Sequence, residues 1–546
     1  MCPIRNQGKP GRASATSSVR AEFLAAGILS ILVLQACLNH LDFSLGARFV
    51  SGCDLGMHLT KAFLIDRDLF HWSKILSVSS SPMFEDFQHG PMTYVFSSVV
   101  RRILRVGPLA AIYAAKALWI VVVSVSLYGA GRRLGGGPWA GLAAAGIGAA
   151  SPVPLAAARE VSAEFPLYAA TAVGFYGYAL SRGFATRSSS ALAGCCFGFG
   201  LLVKPTPVAF WLPFLGIALA LPLFEGTSSR KQRFRNLLAC GFTASLIVAP
   251  YYLPLARTIF AQNTLVGSFD LESYFGRARW YAGAFGDLFS PFLIAAGVAA
   301  LVAAIHARDR YVVSLIAAGI SGFAFVCSIR NLTITYLYPF LALHALLVAR
   351  AIGRTPLAWK KFAALALVAL YGWPLFRPFD AAAFPQPSVA RFATRVAYGR
   401  IPWTPPINAL RWDPVAQLSE VFAARYSRFT SHEVGIVSPA AYHDVLIAAL
   451  SLADPGDTWG QRPYWEGFCV PVHRDCFASL GKLPLIIAVL PSDLKVPPTR
   501  EEEWAIAIVE EFRKNRTVDF ELRTSVYLDT GIDSTHRILF LLSRGG

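Results

Sequence analysis

Charge is scarce in this chain. Only 15% of its 546 residues are Asp, Glu, Lys or Arg, against about 25% in an ordinary soluble protein. With 55% hydrophobic residues and a mean hydropathy of +0.47, that scarcity excludes a soluble globular enzyme and points to an integral membrane protein. Acids are scarcer still, 33 against 50 basic residues, for a formal charge of +17. In a soluble chain such an excess would suggest nucleic acid. Here the basic residues cluster in short loops between apolar runs, the pattern of cytoplasmic membrane loops, and no nucleic-acid partner is expected.

Other absences narrow the field. The nine cysteines contain no CxxC pair and no zinc spacing, which argues against a zinc module. Cys195 and Cys196 lie in an apolar run and read as small buried hydrophobes. Cys469 and Cys476, in CVPVHRDC, are close enough in sequence for a local disulfide on an oxidising side. GxGxxG and GxxxxGK[ST] are missing, so a cytosolic nucleotide motor is not expected. No internal repeat is visible, which argues against a symmetric transporter. The first apolar segment lacks a small-residue cleavage site and follows Arg5, Lys9, Arg12 and Arg20. It reads as a signal anchor.

Long apolar runs are abundant. They fall at about 22–38, 91–105, 108–131, 138–158, 164–181, 190–203, 207–224, 236–257, 287–305, 311–328, 332–349 and 362–376, each of spanning or near-spanning length. The basic loops RKQRFR (230–235), HARDR (306–310) and 350–361 fix the cytoplasmic side. Threading outward from them puts 258–286, Arg330 and everything after about 377 outside. Lys204 falls at an outer turn, Glu164 at the outer end of its helix, and the long loop 39–90 outside. An inside N-terminus and an outside C-terminus require an odd number of spans, so eleven or thirteen are expected rather than twelve. The conflict lies in 91–158, where Arg101, Arg102, Arg132 and Arg133 bracket one run.

Composition changes after 377. PFDAAAFPQPS reads as a linker. EVGIVS (433–438) and LPLIIAVL (483–490) read as buried strands, EEEWAIAIVEEFRKN (501–515) as an amphipathic helix matched to its dipole, and VDFELRTSVYL with HRILFLLS as a closing strand pair. The expected architecture is therefore a basic tail (1–20), a polytopic helical module (21–376) and a C-terminal extracytoplasmic α/β domain (377–546).

The threading gathers ionisable residues on one side, and charge near membrane depth marks a candidate site. SGCDLGMHLTKAF (51–63) carries Asp54 and His58. Asp54 has three readings: the N-cap of a following helix, half of an i,i+4 metal pair with His58, or a catalytic base. FEDFQHGPMTYVF ends the same loop, with His89 before Gly90-Pro91; Glu85 and Asp86 read as solvated loop acids. Glu164 opens a helix in SAEFPLY, where a dipole-favoured acid is the plain alternative. Lys204 lies in GLLVKPTPVAF, where an interfacial snorkelling lysine is the plain alternative. Arg277 and Arg279 stand in YFGRARWYAGAFG, and Arg330 and Tyr336 in SIRNLTITYLYPF.

Taken in order, these segments resemble the membrane glycosyltransferases of the GT-C fold, in the family 39-like branch of protein O-mannosyltransferases and lipid A aminoarabinose transferases. The carriers are Asp54 just after the first span, HGPMTYVF where the family has a Pro-Pro-Leu-Tyr type segment, SAEFPLY, GLLVKPT, the aromatic segments APYYLPLARTIF and RARWYAGAF, and TYLYPFLAL. Together they cover roughly residues 20–350. Departures are Glu164 where the family often has Asp, Gly90-Pro91 for Pro-Pro with His89 where some members have lysine, Pro205 after Lys204, and a lone Asp54 where some relatives have two adjacent acids.

The resemblance implies transfer of a sugar from a polyprenyl-phosphate donor to a lipid, glycan or protein acceptor at the outer membrane face, with inversion. It implies Asp54 as general base, Glu164 as a second catalytic acid that positions substrate, and Lys204 on the donor phosphate. Arg277, Arg279 and Arg330 suit further phosphate contacts; His58, His89 and Tyr336 are candidate substrate contacts. No cofactor is required by the sequence, and a divalent metal is open but not favoured. The expected location is the plasma (inner) membrane. A transporter or flippase of lipid-linked sugars, and a non-enzymatic scaffold, are the other classes, and neither requires Asp54 and Glu164 on one face.

Overall fold

The computed structural model describes residues 12–41, 49–50, 58, 61–62, 65–66, 90–106, 108–150, 152–159, 162–223, 230–261, 271–289, 291–306, 310–329, 334–372, 375, 410–430, 433–437, 446, 450, 453, 482–491, 500–527 and 533–544. Up to residue 372 most of the described chain is helical: α1 (Arg12–Leu41), α2 (Met92–Leu104), α3 (Pro108–Gly135), α4 (Pro138–Ala149), α5 (Pro152–Ala158), α6 (Glu164–Ser181), α7 (Arg187–Val203), α8 (Val208–Leu223), α9 (Arg230–Ala261), α10 (Leu271–Leu288), α11 (Pro291–His306), α12 (Arg310–Ser328), α13 (Tyr338–Ile352) and α14 (Leu357–Gly372). Five stretches among the described residues are long and apolar enough to cross a membrane: Val19–Leu41, Ala110–Gly135, Lys231–Leu253, Tyr311–Ser328 and Thr335–Ile352.

Their outward faces carry large apolar side chains, with Phe23 76% exposed and Leu34, Phe242, Leu246 and Ile320 similarly bare. Such surfaces are stable against lipid, not water. The protein is a multi-pass membrane protein.

Inside the bundle the helices approach closely through small residues. α3 sits at the centre against α1, α2, α4, α6 and α13. Helix α4, PWAGLAAAGIGA, is buried from Trp139 through Ala149, the small-residue packing that replaces the hydrophobic drive within a bilayer. The apolar run 138–158 is not one helix. It breaks into α4 and α5 at Pro152, which has no N–H to donate and fits only the first turn of a new helix.

Helix α2 corrects the reading of 91–105 as a run of spanning length. Its 13 residues rise only about 20 Å, short of a hydrocarbon core of about 30 Å. It buries a polar face of Thr93, Tyr94, Ser97 and Ser98 and exposes Val99, Ile103 and Leu104, as an interfacial helix would. Arg101 and Arg102 pair with Asp66 of the first loop at 2.6 and 3.3 Å, so both arginines lie on that loop's side.

Among the described residues five strands of the C-terminal region and one of the first loop form a six-stranded sheet in the order β1-β2-β5-β6-β4-β3. Its strands are β1 (Phe49–Val50), β2 (Leu410–Arg411), β3 (Val434–Val437), β4 (Leu485–Pro491), β5 (Arg516–Tyr527) and β6 (Asp533–Ser543). β3 and β4 are parallel, and every other neighbouring pair is antiparallel. β4 alternates its two faces. Leu485, Ile487 and Val489 meet Leu418, Phe422 and Tyr426 on or just after helix α15 (Trp412–Arg425). Ile486, Ala488 and Leu490 meet Ala505, Ile508, Val509 and Phe512 of helix α16 (Arg500–Arg513). Burial on both faces is why LPLIIAVL is apolar throughout.

β1 belongs to the first loop, not to the C-terminal region. It pairs with β2 through Phe49↔Arg411 and Val50↔Leu410, so the sheet edge is built from chain that precedes α2. The Cys469–Cys476 pair and the linker after 377 lie outside the described residues.

Candidate functional site

The site begins where α7 ends. Pro205 disfavours the α region for the residue before it, and Lys204 is extended, with φ −161° and ψ 144°. The helix therefore stops at Val203, while the Lys204 N–H still bonds the Gly200 carbonyl. Its side chain turns inward and is 2% exposed. A buried ammonium needs a partner. Lys204 Nζ donates to Glu164 Oε1 at 2.7 Å and lies over the Tyr336 ring, 5.4 Å from its centroid, where the ring's negative face attracts it.

Glu164 is the first residue of α6, whose N-cap, Ala163, supplies no side-chain bond. The carboxylate stands where the helix dipole favours negative charge. Its Oε1 faces Lys204, while Oε2 is buried with no hydrogen-bond partner. Tyr336 sits in a short 3-10 turn (Ile334–Leu337) just before α13, and α10 packs on that turn. Gly90 completes the frame. Its N–H bonds the Val203 carbonyl at 2.9 Å, and a Cβ there would lie 1.9 Å from the Leu202 carbonyl oxygen. Only glycine lets the start of α2 lie on the turn that carries Lys204.

Three expected residues thus converge: Glu164, Lys204 and Tyr336. His58 is helical, as are Lys61, Ala62, Ile65 and Asp66, at the i, i+3, i+4, i+7, i+8 spacing of one helix face. It is buried and shares a hydrogen bond between Nδ1 and the Tyr94 hydroxyl at 2.7 Å. Arg277 Nε donates to the Cys327 carbonyl at 2.6 Å and ties α10 to α12. Arg279 is exposed on α10. Among the described residues no hydrogen bond or ion pair brings either arginine to the Lys204–Glu164 pair. Asp54, His89 and Arg330 lie outside the described residues. Among those described, no group of three or more His, Cys, Asp and Glu side chains is arranged to hold a metal.

Sequence reasoning passed over Lys116, Arg159, Thr93, Tyr94 and Ser162. Lys116 and Arg159 are buried cations, and a lone cation inside or at the end of an apolar run is itself the signal. Lys116 Nζ donates to the Ser162 carbonyl, two residues before Glu164.

Comparison with known proteins bears on the whole frame. The apo crystal structure of ArnT from Cupriavidus metallidurans superposes with a TM-score of 0.56 over 94% of this chain and 98% of that one, at 16% identity. ArnT from the same organism bound to undecaprenyl phosphate gives 0.55, 94%, 97% and 15%. The chain has the ArnT-like GT-C fold. Residues 88–253, which hold Gly90, Glu164 and Lys204, match the family model described as dolichyl-phosphate-mannose-protein mannosyltransferase. No curated protein matches the sequence.

Proposed function

We propose that the chain is a membrane glycosyltransferase that moves a sugar from a polyprenyl-phosphate donor to an acceptor hydroxyl at the outer face of the membrane. The buried Lys204–Glu164 pair beneath Tyr336 carries the reading. It lies within the segment that matches the mannosyltransferase family model, in a fold shared with a protein that binds undecaprenyl phosphate.

In the proposed step the acceptor oxygen attacks the anomeric carbon from the face opposite the lipid phosphate. The new C–O bond forms as the bond to the phosphate oxygen breaks, the configuration inverts, and the acceptor proton passes to the Asp54 carboxylate. Negative charge grows on the departing phosphate. Lys204 is suited to offset it from a site with little water, where a fixed charge acts strongly. Glu164 holds the lysine in place, and its second oxygen is free to accept a substrate hydroxyl. Arg277, Arg279 and Arg330 are proposed as further phosphate contacts, with His58 and His89 beside the acceptor. On this reading the protein sits in the inner membrane with its sheet region outside.

The test is transfer by purified protein in nanodiscs from a panel of polyprenyl-phosphate sugars, read as release of polyprenyl phosphate. Asp54→Asn is expected to lower turnover at least a hundredfold while the thermal unfolding profile is kept. Turnover near wild type would remove Asp54 from the base role.

A further inference from the structure

Glu164 opens α6 and Lys204 follows the last residue of α7. The turn joining these two helices therefore lies at their other end, about 27 Å away along the 18 residues of α6. Arg182, Gly183 and Phe184 in that turn all have positive φ, at 51°, 69° and 60°. A residue with a side chain keeps such a conformation only where its surroundings hold it. Ser181 Oγ accepts the Phe184 N–H at 3.2 Å, and the buried Asn236 of α9 donates to the Phe184 carbonyl at 2.9 Å. The turn is thereby pinned to the start of α9.

The pinning gathers cations. Arg182 and Arg187 flank the turn, and Lys231, Arg233 and Arg235 stand on the adjoining end of α9; all but Arg233 are exposed. Arg233 lies within electrostatic reach of Tyr178 in the last turn of α6. Among the described residues none of the five is in an ion pair. Other basic residues at this end of the bundle are engaged: Arg132 pairs with Glu22 at 2.6 Å, and Arg350 donates to the Leu134 carbonyl.

The shape of the surface selects the partner. Lys231, Phe234, Arg235, Leu238 and Phe242 share one face of α9, at i, i+3, i+4, i+7 and i+11. Phe234 is 58% exposed, and Leu238 and Phe242 are similarly open. From the helix end inward, over about 16 Å, this face passes from cationic to wholly apolar. A phospholipid with an acidic headgroup matches both parts, since cations near a headgroup attract anionic lipid and the apolar stripe takes its chains. A soluble phosphate or an acidic protein would meet the cations and leave the apolar stripe unmatched.

We propose that this corner binds an anionic phospholipid of the cytoplasmic leaflet. The headgroup phosphate bridges Arg182 and Arg187 to Lys231 and Arg235, and so steadies α6 and α7 from the end opposite Lys204. The site does not depend on the transferase reading.

Delipidated full-length protein in neutral detergent is titrated with dioleoyl phosphatidylglycerol and with dioleoyl phosphatidylcholine, and bound lipid is counted by native mass spectrometry. The first phosphatidylglycerol is expected to bind at least tenfold more tightly than the first phosphatidylcholine and to raise the thermal unfolding midpoint. Arg182→Gln/Arg187→Gln/Arg235→Gln should abolish both effects. Arg133→Gln/Lys360→Gln/Lys361→Gln removes the same charge elsewhere and should keep them.

Equal affinity for the two lipids, or an equal loss of preference in both triple variants, means general attraction to positive charge and overturns the site. Displacement of the lipid by equimolar glycerol 1-phosphate or polyglutamate overturns the choice of a phospholipid. Selective binding with no rise in the midpoint overturns the steadying of α6 and α7. If the first triple variant does not fold, Arg187→Gln and Arg235→Gln decide singly. Each should weaken the preference severalfold, with Arg187→Lys retaining it, and no change in either overturns the site.

Discussion

Lys204 and Glu164 show what a single pair of charges does at membrane depth. Removing one partner of a buried ion pair leaves the other uncompensated, at about 3–5 kcal/mol. Glu164→Gln should therefore lower the thermal unfolding midpoint markedly in detergent. Lys204→Met/Glu164→Gln should restore much of that stability without restoring transfer. If the single variant melts with wild type, the pair is not dry. Gly90→Ala is the steric counterpart: with a Cβ 1.9 Å from the Leu202 carbonyl oxygen, the start of α2 must lift off. A lower midpoint and weakened donor use are expected together, checked by unfolding and by KM for the lipid donor. At this scale the sequence was informative wherever a charge interrupts an apolar run beside proline, as at Lys204-Pro205. It was silent on Lys116 and Ser162, which meet only because α3 and the turn before α6 face each other.

Elements were legible in proportion to how far their surroundings resemble bulk solvent or bulk core. The strand β4 is apolar on both faces and the helix α16 on one, and both were read close to their boundaries. The two-residue strands β1 and β2 are too short for any periodicity to register. Helix α2 misled because its apolar face looks outward and its polar face inward, the reverse of a soluble amphipathic helix. In the sheet region, Tyr426 donates to the Asp519 carboxylate. Burial first, then Asp519, raises the phenol above its ordinary value of about 10. Because the folded state favours the neutral phenol, this contribution is intact below the unfolded value and is lost as pH rises from about 10 toward the folded value. Tyr426→Phe should lose about 1 kcal/mol near neutrality and show a shallower decline than wild type above pH 10, followed by the unfolding midpoint across an alkaline series.

The whole molecule is one structure in which membrane helices and sheet region share chain. Runs of apolar residues foretold the bundle, since lipid imposes length and composition directly. Nothing local foretold that the first loop would join the sheet, because that pairing depends on where the bundle delivers both segments. A pair of cysteines tests it. Val50→Cys with Leu410→Cys occupies directly opposed positions, close enough across an antiparallel pair for a disulfide. Oxidation should join them in the purified protein, seen as faster migration on a non-reducing gel. Failure to form would remove the loop from the sheet edge. If the acceptor must enter beneath that edge, the oxidised form should also transfer sugar at least tenfold more slowly, with recovery on reduction.

The β1–β2 pairing also sets an order of events during synthesis. The first loop leaves the ribosome about 360 residues ahead of its partner strand, an interval of roughly 20–70 s at about 5–20 residues per second. Through that interval the helices can insert and pack, but β1 has no strand to bind. A chain stopped anywhere before Leu410 therefore keeps an unmet strand edge, open to pairing with other chains.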